Sequence, residues 1–221
     1  MNFIAVTVEI ASHNETPVSA YGLEYAEAAA TIPANNQAST VLLRLLCYNG
    51  GGQKLKAFKA LQPGTRVLIT GSLVFGEDPS EPMDVIITTL EPSIPPNMYC
   101  NQVVLGNAFF GSDEIRERKN GQVAVKIGTT NDNSDTSTWL FLETDSSRKP
   151  KLESRIRKGR PLCVQGYFRE YRKEDSESPY RAIVANDFTT RKERERQQNP
   201  ATAGTAAGYA EIDPVSDSTG F

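Results

Sequence analysis

The chain has 221 residues, is 38% hydrophobic and 23% charged, and carries a formal net charge of −3. That is enough for one large or two small domains, and no apolar run approaches the roughly 20 residues of a membrane-spanning helix. One histidine, His13, and three widely spaced cysteines, Cys47, Cys100 and Cys163, with no C-x-x-C pair, argue against a zinc site and for free thiols in a reducing compartment.

The charge is unevenly spread. Residues 1–95 hold 5 Lys/Arg against 9 Asp/Glu, residues 96–198 hold 19 against 15, and residues 199–221 hold none against 3. An acidic piece, a basic piece and an acidic tail follow one another, and this distribution says more about partners than the sum does. The opening MNFIAVTVEIASHN has neither the basic stretch nor the small-residue cleavage site of a secretion signal, which predicts a cytoplasmic protein.

In chain order, GGG at 50–52 reads as a flexible hairpin loop rather than a phosphate cradle, and QKLKAFKALQP (53–63) as a short helix. GTRVLITGSLVFGEDPSEPMDVIITTLEP (64–92) reads as two β-rich runs around a polar loop, with Gly71 inside the first run. PSIPPN (92–97) is a proline-stiffened joint. Beyond it the strand-like runs are MYCNQVVLGNAFF (98–110), QVAVKIGTTN (122–131) behind an Asn-Gly turn, and TSTWLFLET (136–144). A helix is expected over 150–158, then PLCVQGYFREYRK (161–173) and YRAIVANDFTT (180–190). The closing stretch 159–188 repeats the plan of 64–92, with Gly166 standing where Gly71 stands, at a period too long for a solenoid.

Five strands with a helix between the third and fourth is the order of an OB-fold. The expected fold class is therefore all-β: two tandem five-stranded OB barrels with a short helix in each, followed by a disordered tail. The units are residues 1–95, acidic and structural or oligomeric; residues 96–191, the binding barrel; and residues 192–221. Gly106 and Gly166, inside strands, suit bulges. TRKERERQQ (190–198) is solvated charge, NPATAGTAAGYA (199–210) is too simple to build a core, and EIDPVSDSTGF closes on acids and Phe221.

Alternation in 161–173 puts Leu162, Val164 and Phe168 towards a core, and Tyr167, Arg169, Tyr171 and Lys173 on the opposite face. Rings interleaved with cations suit an unpaired polynucleotide, because flat rings accept any base and cations pair with phosphate. In STWLFLE, Trp139 and Phe141 alternate with Leu140 and Leu142, and either pair can be core; with the leucines inside, the two rings project outward. Tyr180 and Arg181 begin the last strand, while Arg116, Arg118 and Lys126 are placed to track a backbone. The sequence holds no phosphate loop, dinucleotide turn or nucleophile set, so no enzyme, cofactor or metal is expected.

MYCNQVVLGNAFFGSDEIRERKNGQVAVKIGTTN resembles the opening of bacterial single-stranded DNA-binding proteins, in which an N-x-V-x-L-x-G strand leads into a G-x-x-V-A strand. The corresponding residues are Asn101, Val103, Leu105, Gly106, Gly121, Val123 and Ala124, each glycine one place nearer its neighbour than in those patterns; Trp139 matches the tryptophan that opens the family's third strand, and 157–188 resembles its closing hairpin. The resemblance implies an OB-fold that oligomerises and wraps single-stranded DNA. In its two-barrel form it implies a dimer supplying four barrels, or a tetramer, located at the nucleoid and serving replication, recombination or repair. Two family aromatics are absent, at Thr144 or Asp145 and around Lys173. The acidic tail with Asp213, Asp217 and Phe221 keeps only part of the family's partner-recruiting tip. A protein-interaction module and an RNA-binding regulator are the alternatives on the same fold.

Overall fold

The computed structural model describes residues 2–14, 18–20, 23–34, 40–49, 52–76, 81–118, 121–131, 137–171 and 179–190. The first half holds β1 (Asn2–His13), β2 (Val18–Ala20), β3 (Leu23–Ile32), β4 (Val41–Tyr48), α1 (Gln53–Lys59), β5 (Arg66–Val74) and β6 (Met83–Glu91). The second holds β7 (Asn101–Glu117), β8 (Gln122–Thr130), β9 (Ser137–Asp145), α2 (Lys149–Glu153), β10 (Pro161–Tyr171) and β11 (Tyr180–Thr190).

Both halves close in the same way. β1 pairs with β3, β3 with β4, β4 in parallel with β6, β6 with β5, and β5 returns to β1. In the second half β7, β8, β9, β11 and β10 repeat that circuit, again with one parallel pair, β9 with β11. Period-two alternation fills each interior: Ile4, Val6, Val8 and Ile10 from β1, and Val123, Val125 and Ile127 from β8. α1 contributes the buried Leu55 and Phe58, and α2 contributes Leu152.

The closing hairpin of each barrel bends at a glycine. The β5–β6 register slips between Thr70 and Gly71, and the β10–β11 register between Gln165 and Gly166. A Cβ on Gly71 would lie 2.3 Å from the Ile86 carbonyl oxygen, and one on Gly166 2.1 Å from that of Val184, so only glycine lets the strands approach this closely. Gly106 stands at a third slip, where β10 passes from Leu162 to Val164 while β7 passes from Ala108 to Leu105.

The barrels are joined through their first strands. β1 pairs antiparallel with β7, with Ile4 opposite Val103. Ile4 also faces Gly71, and Val103 faces Gly166, so equivalent residues meet and the two barrels are related by a local two-fold. The loop after β5 docks on the second barrel: Asn131 donates to the Phe75 carbonyl (2.8 Å) and accepts from its N–H (2.9 Å), and Thr138 donates to the Gly76 carbonyl (3.3 Å).

Three boundaries depart from the sequence expectation. β7 continues through the polar stretch to Glu117, because a register slip between Phe110 and Ile115 absorbs Gly111–Glu114. α2 ends at Glu153, after which the chain turns back and the Gly159 N–H donates to the Phe110 carbonyl (2.7 Å). Gly52 leads from β4 into α1, so that connection is not a hairpin between strands.

Candidate nucleic-acid interface

The outer face of β7 to β11 carries the rings. Leu140 and Leu142 point inward, which settles the open choice on β9: Trp139 is 46% exposed and Phe141 is half-buried on the outside. Across β8, Gly128 stands opposite Trp139, Lys126 opposite Phe141 and Ala124 opposite Glu143. Across β11, Ala182 lies beside Phe141, and β10 adds Arg169 opposite Ala182 and Tyr171 opposite Tyr180.

Two clusters result. In the first, Trp139 meets Phe109 edge-on (centroids 5.6 Å apart, planes at 80°), and the Lys126 ammonium sits 4.4 Å from the indole centroid. In the second, Phe141 stacks on Tyr180 (4.6 Å, 24°), and Tyr171, 40% exposed, lies 6.1 Å from Tyr180. Arg118 lies over Tyr180 at 4.5 Å and donates to its hydroxyl. Tyr167 is half-buried, within 5.9 Å of the Arg169 guanidinium.

Glu143 organises the second cluster. Its carboxylate is only 3% exposed, accepts from the Tyr180 hydroxyl (2.9 Å), and pairs with Arg118 (3.5 Å) and Arg169 (3.4 Å). Arg169 also donates to Gln122 (3.1 Å). Burial, and then the adjacent Glu143 charge, push the Tyr180 phenol far above the ordinary tyrosine range; burial also raises that of Tyr171.

The sequence-derived candidates separate on this geometry. Trp139, Phe141, Tyr167, Tyr171, Tyr180, Arg118 and Lys126 share one face. Arg169 shares it but is buried against Glu143 rather than free in solvent, a correction to its expected place in an exposed stripe. Arg181 is also corrected: next to Tyr180 in a strand, it must point the other way. There it pairs with the buried Glu170 (3.1 Å) and donates to the Glu81 carbonyl of the first barrel. Arg116 stands exposed near the end of β7, beside Glu114 (3.4 Å). Lys173, Asp213, Asp217 and Phe221 lie outside the described residues.

Sequence reasoning missed Phe109, Glu143, Gln122 and Gly128. Phe109 was available from alternation, since its neighbour Phe110 is fully buried. Glu143 had no local signal, because its arginines lie 25 and 26 residues away.

The arrangement defines a tandem OB-fold with a ring-bearing outer face on its second barrel. No protein-family profile matches the sequence, and no curated protein does. Solved structures do match: the wild-type single-stranded DNA-binding protein of Thermus aquaticus aligns at 17% identity and TM-score 0.55, over 94% of this chain and 97% of that one. A deletion variant of the same protein aligns at 15% identity and TM-score 0.58, over 86% and 94%. The described residues thus share the two-barrel fold of that protein.

Proposed function

We propose that the chain is a non-enzymatic, sequence-independent single-stranded DNA-binding protein that uses the outer face of its second barrel. Trp139 carries the reading: a large ring left half exposed on a strand whose other side is packed core, with a cation over it, offers a face to an unpaired base. Tyr171 extends the stacking surface, and Arg118, Lys126 and Arg116 supply positive charge along it. The fold shared with Thermus aquaticus single-stranded DNA-binding protein supports the same reading. The wider proposal follows: a homo-oligomer assembling four barrels or more, acting in DNA replication, recombination or repair at the nucleoid, with Asp213, Asp217 and Phe221 docking protein partners.

Titrating Trp139 fluorescence, from the sole tryptophan, with oligo-dT tests this directly. Strong quenching, weakened by salt as phosphate pairing requires, is the expected result; no quenching at micromolar protein in low salt rejects it. A second reading has one observation in its favour. Arg118, Arg169 and Arg181 each face a carboxylate within the fold, which reduces the charge available to phosphate. A protein-interaction module with little affinity for nucleic acid would show no quenching with oligo-dT or oligo-U.

A further inference from the structure

We infer that Gly128, with Gly111 beside it, is the seat that fixes Trp139 as a stacking platform, so that the missing side chain on β8 is a positioning element for base binding. The inference deepens the proposed function and rests on it for its consequence, though not for its geometry.

Gly128 lies between two rings. It faces Trp139 across the β8–β9 ladder and Phe109 across the β7–β8 ladder. A Cβ there would sit 2.4 Å from Phe109 Cζ and 2.9 Å from Trp139 Cζ3. A Cβ on Gly111 would sit 2.6 Å from the same indole carbon and 3.1 Å from Cε3. The six-membered half of the indole therefore occupies the space that two side chains would otherwise fill. Glycine inside a strand weakens it and gives it nothing to pack with, so two such positions under one ring call for a reason. Neither has the left-handed backbone of Gly121 or Gly159, so backbone conformation does not supply it. Close approach of the ring does. With Phe109 edge-on at one side and Lys126 over the ring, the indole has a fixed position before any base arrives, and preorganisation of this kind spares ordering cost on binding.

These glycines differ from Gly71 and Gly166 in a way that makes the idea testable. An added methyl at the bulge glycines meets backbone carbonyls, and the barrel must move. At Gly128 the nearest atoms all belong to side chains, so the rings move and the backbone stays.

The experiment uses the full chain carrying Gly128→Ala, with oligo-dT as probe. Three results are expected together: an unfolding midpoint close to wild type, a shifted Trp139 emission maximum in the free protein, and affinity for oligo-dT lowered by roughly three- to tenfold, within the loss a weakened stacking contact allows. A folded Gly128→Ala chain with wild-type emission and wild-type affinity overturns the inference. If that variant does not fold, Gly111→Ala carries the same test, since its Cβ meets only Trp139 and Lys126 side-chain atoms; unchanged emission and affinity there overturn it too. If the wild-type chain itself fails to bind oligo-dT, the proposed function falls, while the emission shift still decides whether the glycines seat the indole.

Discussion

The two barrels run on one plan and differ almost wholly on their outer faces. Superimposed on their bulge glycines, the registers place Leu42, Arg44 and Leu46 of β4 where β9 has Trp139, Phe141 and Glu143. They likewise place Ser72 and Val74 where β10 has Tyr167 and Arg169. Asp84 takes the position of Ala182, and there it holds Arg44 in a two-pronged ion pair with both contacts at 2.7 Å. A ring resting on alanine in the second barrel is thus a closed salt bridge in the first. The inward half of the alternation and the bulge glycine build the barrel; the outward half sets what it presents, a cluster of rings with cations in the second barrel, and in the first a closed salt bridge with one stacked pair, Tyr25 on Tyr48. This difference can be broken or sharpened experimentally, and the expected effects descend in size.

The largest concerns Glu143. Replacing it with Gln removes the buried carboxylate that Arg118 and the nearly buried Arg169 share. Breaking one partner of a buried pair costs about 3–5 kcal/mol, read as a fall in the denaturant midpoint. Gln at Leu46, the half-buried counterpart, removes no ion pair and is expected to cost about 1 kcal/mol or less. Equal losses would remove the distinction between a charge-organised and a plain outer face. Next come Gly71→Ala and Gly166→Ala. Each forces a methyl into a carbonyl, and each should lose about 1–3 kcal/mol of stability by overpacking. Here the barrels are expected to agree, and a tolerated alanine in either would break the shared plan.

Third is Trp139→Ala against Leu42→Ala, read by anisotropy of labelled oligo-dT. Stacking is worth roughly 1–3 kcal/mol per base, so the tryptophan variant should bind about tenfold more weakly, and the leucine variant within about twofold of wild type. A comparable loss from Leu42→Ala would place bases on the first barrel as well.

How much of this was legible in the chain follows from where contrast existed. On β10, Leu162, Val164 and Phe168 alternate with polar or amphipathic neighbours, and period two alone sorts them correctly. On β9 both alternating sets are apolar, Leu140 and Leu142 against Trp139 and Phe141, so periodicity has nothing to sort; glycines on other strands, Gly111 and Gly128, leave the room that decides it. β7 outruns the strand expected over 98–110 because Ser112, Asp113 and Glu114 show no apolar alternation, whereas a bulge carries them within a bent strand. Arg169 and Arg181 read as free cations because their acids, Glu143 and Glu170, become neighbours only through strand pairing. The paired first strands of the two barrels were likewise illegible, since β1 and β7 meet only in the closed fold.

The smallest effect isolates a single hydroxyl. Tyr180 is held neutral by burial and by Glu143, so its folded-state pKa lies above the ordinary value of about 10. A raised pKa means the folded chain keeps a proton that the unfolded chain releases. The phenol's contribution is therefore complete below about pH 10 and is lost as pH rises towards the folded-state value. Tyr180→Phe should flatten the fall in stability above about pH 10, by less than about 1 kcal/mol because the half-buried ring is partly screened. In the register that sets Asp84 where Ala182 stands, the first barrel has Pro82 in the place of Tyr180. In the first barrel Tyr25 is also raised, by burial and then by Glu27, so the slope that Tyr180→Phe removes is the share of Tyr180 alone. A variant with an unchanged slope above about pH 10 would mean that neither burial nor Glu143 holds the proton on Tyr180.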